Sequence, residues 1–219
     1  MKIRARNCRI VPFAVVALAM LTPLSARADH ALPFDSDHWE GVEYCYNGYT
    51  GPWLPSMDGN CADFVSTDYC WHMARTKFTI TRDMGTGIVH VLPRLLSGGG
   101  HTDEAHIGFG DGYSHYVGQF AGITLSAGVI YLGTSTDYFQ QAIGSYSPGV
   151  AFEIQLFVDA GGLLTVSGAA SGSIDANAIL PGNFHILLDV ADSSDGIQLC
   201  HAVVPAETTT WGVLKKSYR

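Results

Sequence analysis

Basic residues are scarce in this chain. It holds 12 Lys and Arg against 20 Asp and Glu, and five of the 12 (Lys2, Arg4, Arg6, Arg9 and Arg27) fall within the first 28 of its 219 residues. Without that segment, seven bases face all 20 acids over 191 residues, a formal charge of −13. This balance excludes nucleic acid and anionic membrane surfaces as partners, because both are held by clustered cations. Three of the seven (Lys215, Lys216 and Arg219) sit at the very end. Residues 29–205 therefore carry only Arg75, Lys77, Arg82 and Arg94 against 19 acids. Such a body keeps the protein soluble and attracts cations, calcium included.

Long apolar runs are lacking as well. The longest, Ile10–Leu21, is too short to span a bilayer and is edged by Pro12 and Pro23. It follows a basic segment and precedes Ala26-Arg27-Ala28, the pattern of a signal peptide over residues 1–28. The expectation is a secreted product, extracellular or at the cell surface, with the periplasm as a further compartment. No membrane span remains after cleavage.

Also missing are the short motifs of familiar catalysis. No G-x-S-x-G occurs, the nearest run being Gly112-Tyr113-Ser114-His115-Tyr116, and neither an H-E-x-x-H helix nor an EF-hand loop is present. No C-x-x-C or Cys/His pair has the usual linear spacing of a zinc site. Removing the leader removes Cys8 and leaves Cys45, Cys61, Cys70 and Cys200. An even count in an oxidising compartment predicts two disulfides. Three pairings are open, and each ties residue 200 to the 45–70 segment.

What is present is short apolar alternation broken by glycine, of which the chain has 25. The clearest strand is Val150–Asp159, with Val150, Phe152, Ile154, Leu156 and Val158 on one face and Glu153, Gln155, Phe157 and Asp159 on the other. Gly161-Gly162 then turns the chain into Leu163–Ser167. Asn183–Val190 puts Phe184, Ile186, Leu188 and Val190 inward and His185, Leu187 and Asp189 outward. After a turn over Asp192–Gly196, a last strand alternates from Ile197 to Val204. Further strands are expected at Lys77–Thr81, Ile88–Leu92, Ala105–Phe109, Tyr116–Ile123 and Val129–Gly133, with Met84-Gly85-Thr86-Gly87 as a hairpin tip. One helix is a candidate, Ala62–Arg75, on the spacing of Phe64, Val65, Tyr69 and Met73.

Together these features predict an all-β protein, an antiparallel β-sandwich of jelly-roll type with a disulfide-stapled, loop-rich N-terminal lobe. The expected organisation is a leader over 1–28, an aromatic- and cysteine-rich lobe over 29–76, the sandwich over 77–205 and a tail over 206–219. A parallel α/β fold would need helices that this chain lacks.

Aromatic rings on a β-sandwich stack on the C–H faces of sugars while neighbouring carboxylates and amides take the hydroxyls. Trp53, in the turn Tyr49-Thr50-Gly51-Pro52-Trp53, is the first candidate ligand contact, with Tyr49 and Tyr46 beside it. Aromatics near disulfides also fill cores, which is the competing use. His101, Asp103 and His106, in a set with Glu104, Asp111 and His115, offer metal ligands, although a solvated polar loop is the preferred explanation. Asp192 and Asp195, following Asp189 at intervals of three, suit calcium or an ordinary Asx-rich turn. No metal other than calcium is implied. No catalytic constellation stands out. Were the protein an enzyme, Glu153, His185 and Asp189 would be its candidate catalytic groups, brought together only in three dimensions.

Two resemblances carry further expectations. Ile107-Gly108-Phe109-Gly110-Asp111-Gly112, taken with Phe152–Val158 and Asn183–Val190, resembles the strand-and-turn texture of the concanavalin A-like lectin and glucanase superfamily. That resemblance implies a jelly-roll and an extracellular glycan as partner. Its glucanases carry two glutamates four or five positions apart on one strand, whereas Phe157 and Val158 follow Glu153 here. Pro181-Gly182-Asn183-Phe184-His185 is similar to the second motif of the cupins, but the paired histidines of their first motif are absent. The ending Thr210-Trp211-Gly212-x-x-Lys215-x-x-Tyr218-Arg219 resembles a tail on secreted proteins of some Gram-negative bacteria, and implies export or surface handling. The leading expectation is thus a binding protein for extracellular glycan. A secreted glycosidase-like hydrolase is the alternative, and a structural envelope protein with a protein partner is the third.

Overall fold

In the computed structural model, the structure describes residues 28–29, 32–45, 47–65, 70–94, 104–112, 118–191 and 196–201. Residues 1–27 of the leader, Tyr46, His101, Asp103, Asp192, Asp195 and the tail lie outside them. Among the described residues the regular elements are all strands. The N-terminal part supplies β1 (Ala28–Asp29), β2 (Trp39–Cys45), β3 (Thr50–Pro52), β4 (Ser56–Met57), β5 (Cys61–Val65), β6 (Cys70–Thr76), β7 (Ile80–Thr81), β8 (Met84–Gly85) and β9 (Val89–Arg94). There follow β10 (Glu104–Gly110), β11 (Phe120–Ser126), β12 (Val129–Thr134), β13 (Asp137–Ser145), β14 (Phe152–Val158), β15 (Leu163–Gly168), β16 (Gly172–Asp175), β17 (Asn183–Ala191) and β18 (Gly196–His201).

They form two sheets. The first runs β1-β8-β14-β9-β18-β5-β4, with β15 and β16 continuing from β14, and the second runs β13-β12-β11-β10-β17-β6-β2-β3, with β7 on β17. All pairings are antiparallel except β1 with β8. The alternation of apolar side chains explains the stacking. Ile154, Leu156 and Val158 of the first sheet and Phe184, Ile186, Leu188 and Val190 of the second are all buried and meet in one core. Phe109 and Phe184, from neighbouring strands, lie with ring centroids 5.3 Å apart at 60°. Such offset, tilted pairs are the favoured arrangement of aromatic quadrupoles.

The cysteine-rich N-terminal segment contributes strands to both sheets. Cys45–Cys70 joins β2 to β6 in the second, and Cys61–Cys200 joins β5 to β18 in the first. Residue 200 is indeed tied to the 45–70 region. Ala62–Arg75, a helix candidate by spacing, contains β5 and much of β6. Phe64 and Val65 belong to β5 and Met73 to β6, in different sheets, so the spacing that joins them comes from two separate strands; Tyr69 lies outside the described residues.

Met84–Gly85 is not a hairpin tip. β7 pairs β17 in one sheet and β8 pairs β14 in the other, so Arg82-Asp83 crosses between sheets, with Asp83 in the left-handed region at φ 66°. Lys77 and Phe78 lie in a bend, and the strand expected there is reduced to Ile80–Thr81. Val150 falls just before β14 and is 58% exposed. The outward face of β17 is also drier than its sequence suggests, with Leu187 and Asp189 buried beside a half-buried His185. β17 is an interior strand, flanked by β10 and β6.

On that second face the register lines up Gly108, Gly122 and Gly133 across β10, β11 and β12. The lane is a seat for an aromatic ring. A Cβ at Gly108 or Gly122 would come within 2.7 Å of the Phe120 ring, which lies fully buried on it.

Candidate functional site

Two places concentrate polar and aromatic chemistry. The first is a cleft of about 340 Å³ at the edge of the second sheet, lined by Trp39, Glu40, Gly41, Pro52, Trp53, Leu54 and Lys77. Its origin is local. β3 pairs with β2 only from Val42 to Tyr44, and beyond Pro52 the chain leaves the sheet, held by a hydrogen bond from Trp53 N to Gly41 O. The edge of β2 at Trp39–Gly41 is thereby left open.

The indole of Trp53 is anchored on one side. It stacks on the His72 ring at 4.2 Å and 2°, and packs against Phe64 at 5.7 Å. Trp39 is fully buried beneath the cleft and donates from Nε1 to Pro33 O at 2.5 Å. Around these rings stand exposed Leu54 and Pro52, and Glu40 and exposed Lys77 complete the lining. Arg75 Nε donates to Glu40 Oε1 at 2.8 Å, and Lys77 Nζ donates to Ser36 O at 3.1 Å, so both charged groups are oriented. An apolar floor with one acceptor and one donor can hold a small polyhydroxylated ligand.

Of the sequence candidates, Trp53 thus combines both expected uses, packing on the core and lining a cleft. Tyr49 does not join it. It is exposed, lies over Gly51, and its backbone N–H donates an Asx-type hydrogen bond to Asn47 Oδ1 at 2.9 Å. Tyr46 lies outside the described residues. Glu40 and Lys77 were not legible as partners of Trp53, because only the sheet edge brings them together.

The second place is the outer face of the second sheet. Register places Met73, Asp189, His106, Thr124 and Tyr131 in one row across β6, β17, β10, β11 and β12. Glu104 is two residues from His106 on the same strand and face. His106 Nε2 lies 3.4 Å from Glu104 Oε2 and 3.9 Å from Asp189 Oδ1, and Thr124 Oγ1 lies 2.9 Å from its Nδ1. Phe120 and Tyr138 meet the imidazole edge-on, at 5.9 and 5.7 Å. The ring is fully buried. An imidazole between two carboxylates can carry a proton or simply satisfy buried polar atoms. The sequence signal was the period-two pair Glu104-x-His106; the contribution of Asp189 depends on the β10–β17 register.

His106 therefore belongs to the interior of a strand, whereas its supposed metal partners His101 and Asp103, like Asp192 and Asp195, lie outside the described residues. Glu153, His185 and Asp189 are not assembled. Glu153 is exposed on β14 of the first sheet, 3.1 Å from His90 Nε2. His185 and Asp189 are on β17 of the second, and His185 Nδ1 donates to Thr76 O at 2.6 Å.

Near the Cys61 end of β5, backbone N–H groups of Cys61 and Asn60 donate to Asp58 Oδ1 at 2.7 and 2.9 Å. These donors favour the ionised form and hold its carboxyl below the ordinary range. Asp35 is lowered in the same direction, chiefly by its hydrogen bond with His38.

No family model matches the chain, and no curated protein matches it. Solved structures do match in fold. Over 80% of this chain and 93% of its own, basic winged bean lectin with Tn-antigen superposes with a TM-score of 0.50 at 8% identity. An alginate lyase of polysaccharide lyase family 7 superposes over 78% of this chain and 96% of its own, with a TM-score of 0.50 at 11% identity. The likeness to both is one of fold, a jelly-roll-like sandwich of two sheets.

Proposed function

We propose that this protein is exported and binds extracellular glycan, taking a neutral sugar residue in the Trp53 cleft. The observation that carries the reading is the cleft itself, an open hollow of about 340 Å³ in which the anchored Trp53 indole is joined in the lining by Glu40 and Lys77. The jelly-roll is shared with a lectin and with an alginate lyase, and that likeness supports the choice of ligand class by analogy. Charge favours a neutral sugar over a uronate, since residues 29–205 carry 19 acids against four bases. Export is supported by the leader pattern and by two disulfides. Among the described residues no helix is long and apolar enough to cross a membrane.

Binding to a glycan array, with Glu40→Gln and Lys77→Ala beside the wild type, tests this. Each variant alters a surface charge and leaves the core intact. Losing a hydrogen bond to a charged group costs about 1.5–3 kcal/mol, so binding should fall by about tenfold or more in each. Trp53→Ala should abolish it. Equal signals from all four proteins would remove the cleft from the account, and silence of the wild type on every glycan would reject the ligand class.

A second reading, glycan cleavage, rests on the His106 row, because an imidazole held between Glu104 and Asp189 is equipped for proton transfer. Product release from polysaccharides by wild type and not by a folded His106→Gln would favour it. Turnover that survives His106→Gln would remove this row from any catalytic role.

A further inference from the structure

Linear spacing argues against a zinc site, but the β2–β6 register builds a set of ligands that spacing along the chain cannot show. Glu43 stands opposite His72, and Cys45 opposite Cys70. Within each strand the two residues are two apart, Glu43 with Cys45 and Cys70 with His72, so all four side chains leave the same face. A carboxylate oxygen of Glu43 and the Sγ atoms of Cys45 and Cys70 lie within 4.8 Å of one another. His72 Nε2 lies 3.4 Å from Glu43 Oε2. Cys45, Cys70 and His72 are buried, and Glu43 is half-buried at the mouth. The stacked Trp53 ring fixes the imidazole plane, as an outer shell does around many metal ligands.

In the oxidised protein the two sulfurs are bonded to each other and offer no thiolate. The geometry points to a redox-gated zinc site: when the Cys45–Cys70 disulfide is reduced, Cys45, Cys70, His72 and Glu43 together bind one zinc ion. The reductant is a dithiol. It gives two electrons and two protons to the S–S bond, producing two protein thiols, and is itself left as a disulfide. Zinc then displaces the two thiol protons, and two sulfurs, one nitrogen and one oxygen supply the four ligands that tetrahedral zinc prefers. The β2–β6 ladder, seven residue pairs long, holds the two strands in register without the covalent bond. The site gives the exported chain two exclusive states of one sheet edge, disulfide in an oxidising milieu and metal in a reducing one.

The test uses the whole mature protein, reduced with dithiothreitol, freed of it by gel filtration under nitrogen, and titrated with Co²⁺ and then Zn²⁺. One equivalent of Co²⁺ should give thiolate-to-cobalt charge-transfer absorption and tetrahedral d–d bands, both erased by Zn²⁺. The oxidised protein should give neither. Glu43→Gln, which keeps both cysteines, should weaken Co²⁺ binding by about tenfold or more, at least what losing an outer-shell partner costs elsewhere. In the reduced wild type, Zn²⁺ should slow iodoacetamide alkylation of Cys45 and Cys70, and leave Cys61 and Cys200 unprotected. A cobalt spectrum that persists unchanged in reduced Cys45→Ser/Cys70→Ser would overturn the assignment. So would zinc protection that is equal at all four cysteines or absent from them.

Discussion

Replacing Cys61 and Cys200 together with serine should lower the free energy of unfolding by about 5 kcal/mol, the largest effect expected from any pair of substitutions away from the core. The bond spans 139 residues. Cross-linking removes from the unfolded chain an entropy that grows with the logarithm of the closed loop, which gives about 5 kcal/mol for this loop. The Cys45–Cys70 bond spans 25 residues, and the same relation gives about 3.5 kcal/mol. Urea unfolding followed by tryptophan fluorescence measures both. The two bonds should rank in that order because each joins strands that are already paired, β5 with β18 and β2 with β6, so native contacts change little in either variant. A larger loss from the shorter loop would show that the bonds act on the folded state instead.

Phe184→Ala should cost about 3–5 kcal/mol, the usual range for emptying a large buried aromatic. Phe184 is fully buried on β17, the interior strand of the second sheet, against Phe109 at 5.3 Å. The ring joins the layer made by Ile186, Leu188 and Val190 to the facing sheet, so little can collapse into its space. Val150→Ala is the matched contrast. Val150 continues the same apolar alternation as Phe152, Ile154 and Leu156 in sequence, but is 58% exposed. Its truncation should stay within about 0.5 kcal/mol, as exposed substitutions usually do. Similar losses in the two variants would contradict the placement of the core.

That contrast also shows how far the sequence could be read. Period-two alternation identified β14, β15, β17 and β18, and gave the inward faces of β14 and β17, because the apolar set is long enough there to be displayed. It overran where pairing ends: Val150 has the right chemistry and no partner strand. It missed β13, whose side chains are mostly exposed and so carry no contrast. It mistook the β5–β6 region for a helix, since two short strands in different sheets imitate helical spacing when joined end to end.

The candidate site was legible one residue at a time. Trp53 was singled out as an aromatic in a turn, but its cleft needs Glu40 and Lys77, which meet it only because β3 stops at Pro52. His106 was grouped with His101, Asp103 and Glu104 as neighbours in sequence. The sheet keeps Glu104 beside it on its own strand and adds Asp189 from across the β10–β17 ladder. Glu153 and Asp189 were grouped as residues that meet only in three dimensions, and they belong to different sheets. In each case the missing information was register, which local sequence carries only where one face is dry and the other wet.

The central claim, that the open edge of β2 is a glycan site, is tested most directly by two-dimensional NMR of the mature protein titrated with the oligosaccharide giving the strongest array signal. Saturable shifts should appear at the Trp53 indole N–H and at the backbone amides of Glu40, Leu54 and Lys77, while Glu153 and His185 stay still. Saturable shifts that leave Trp53, Glu40, Leu54 and Lys77 unmoved would contradict it.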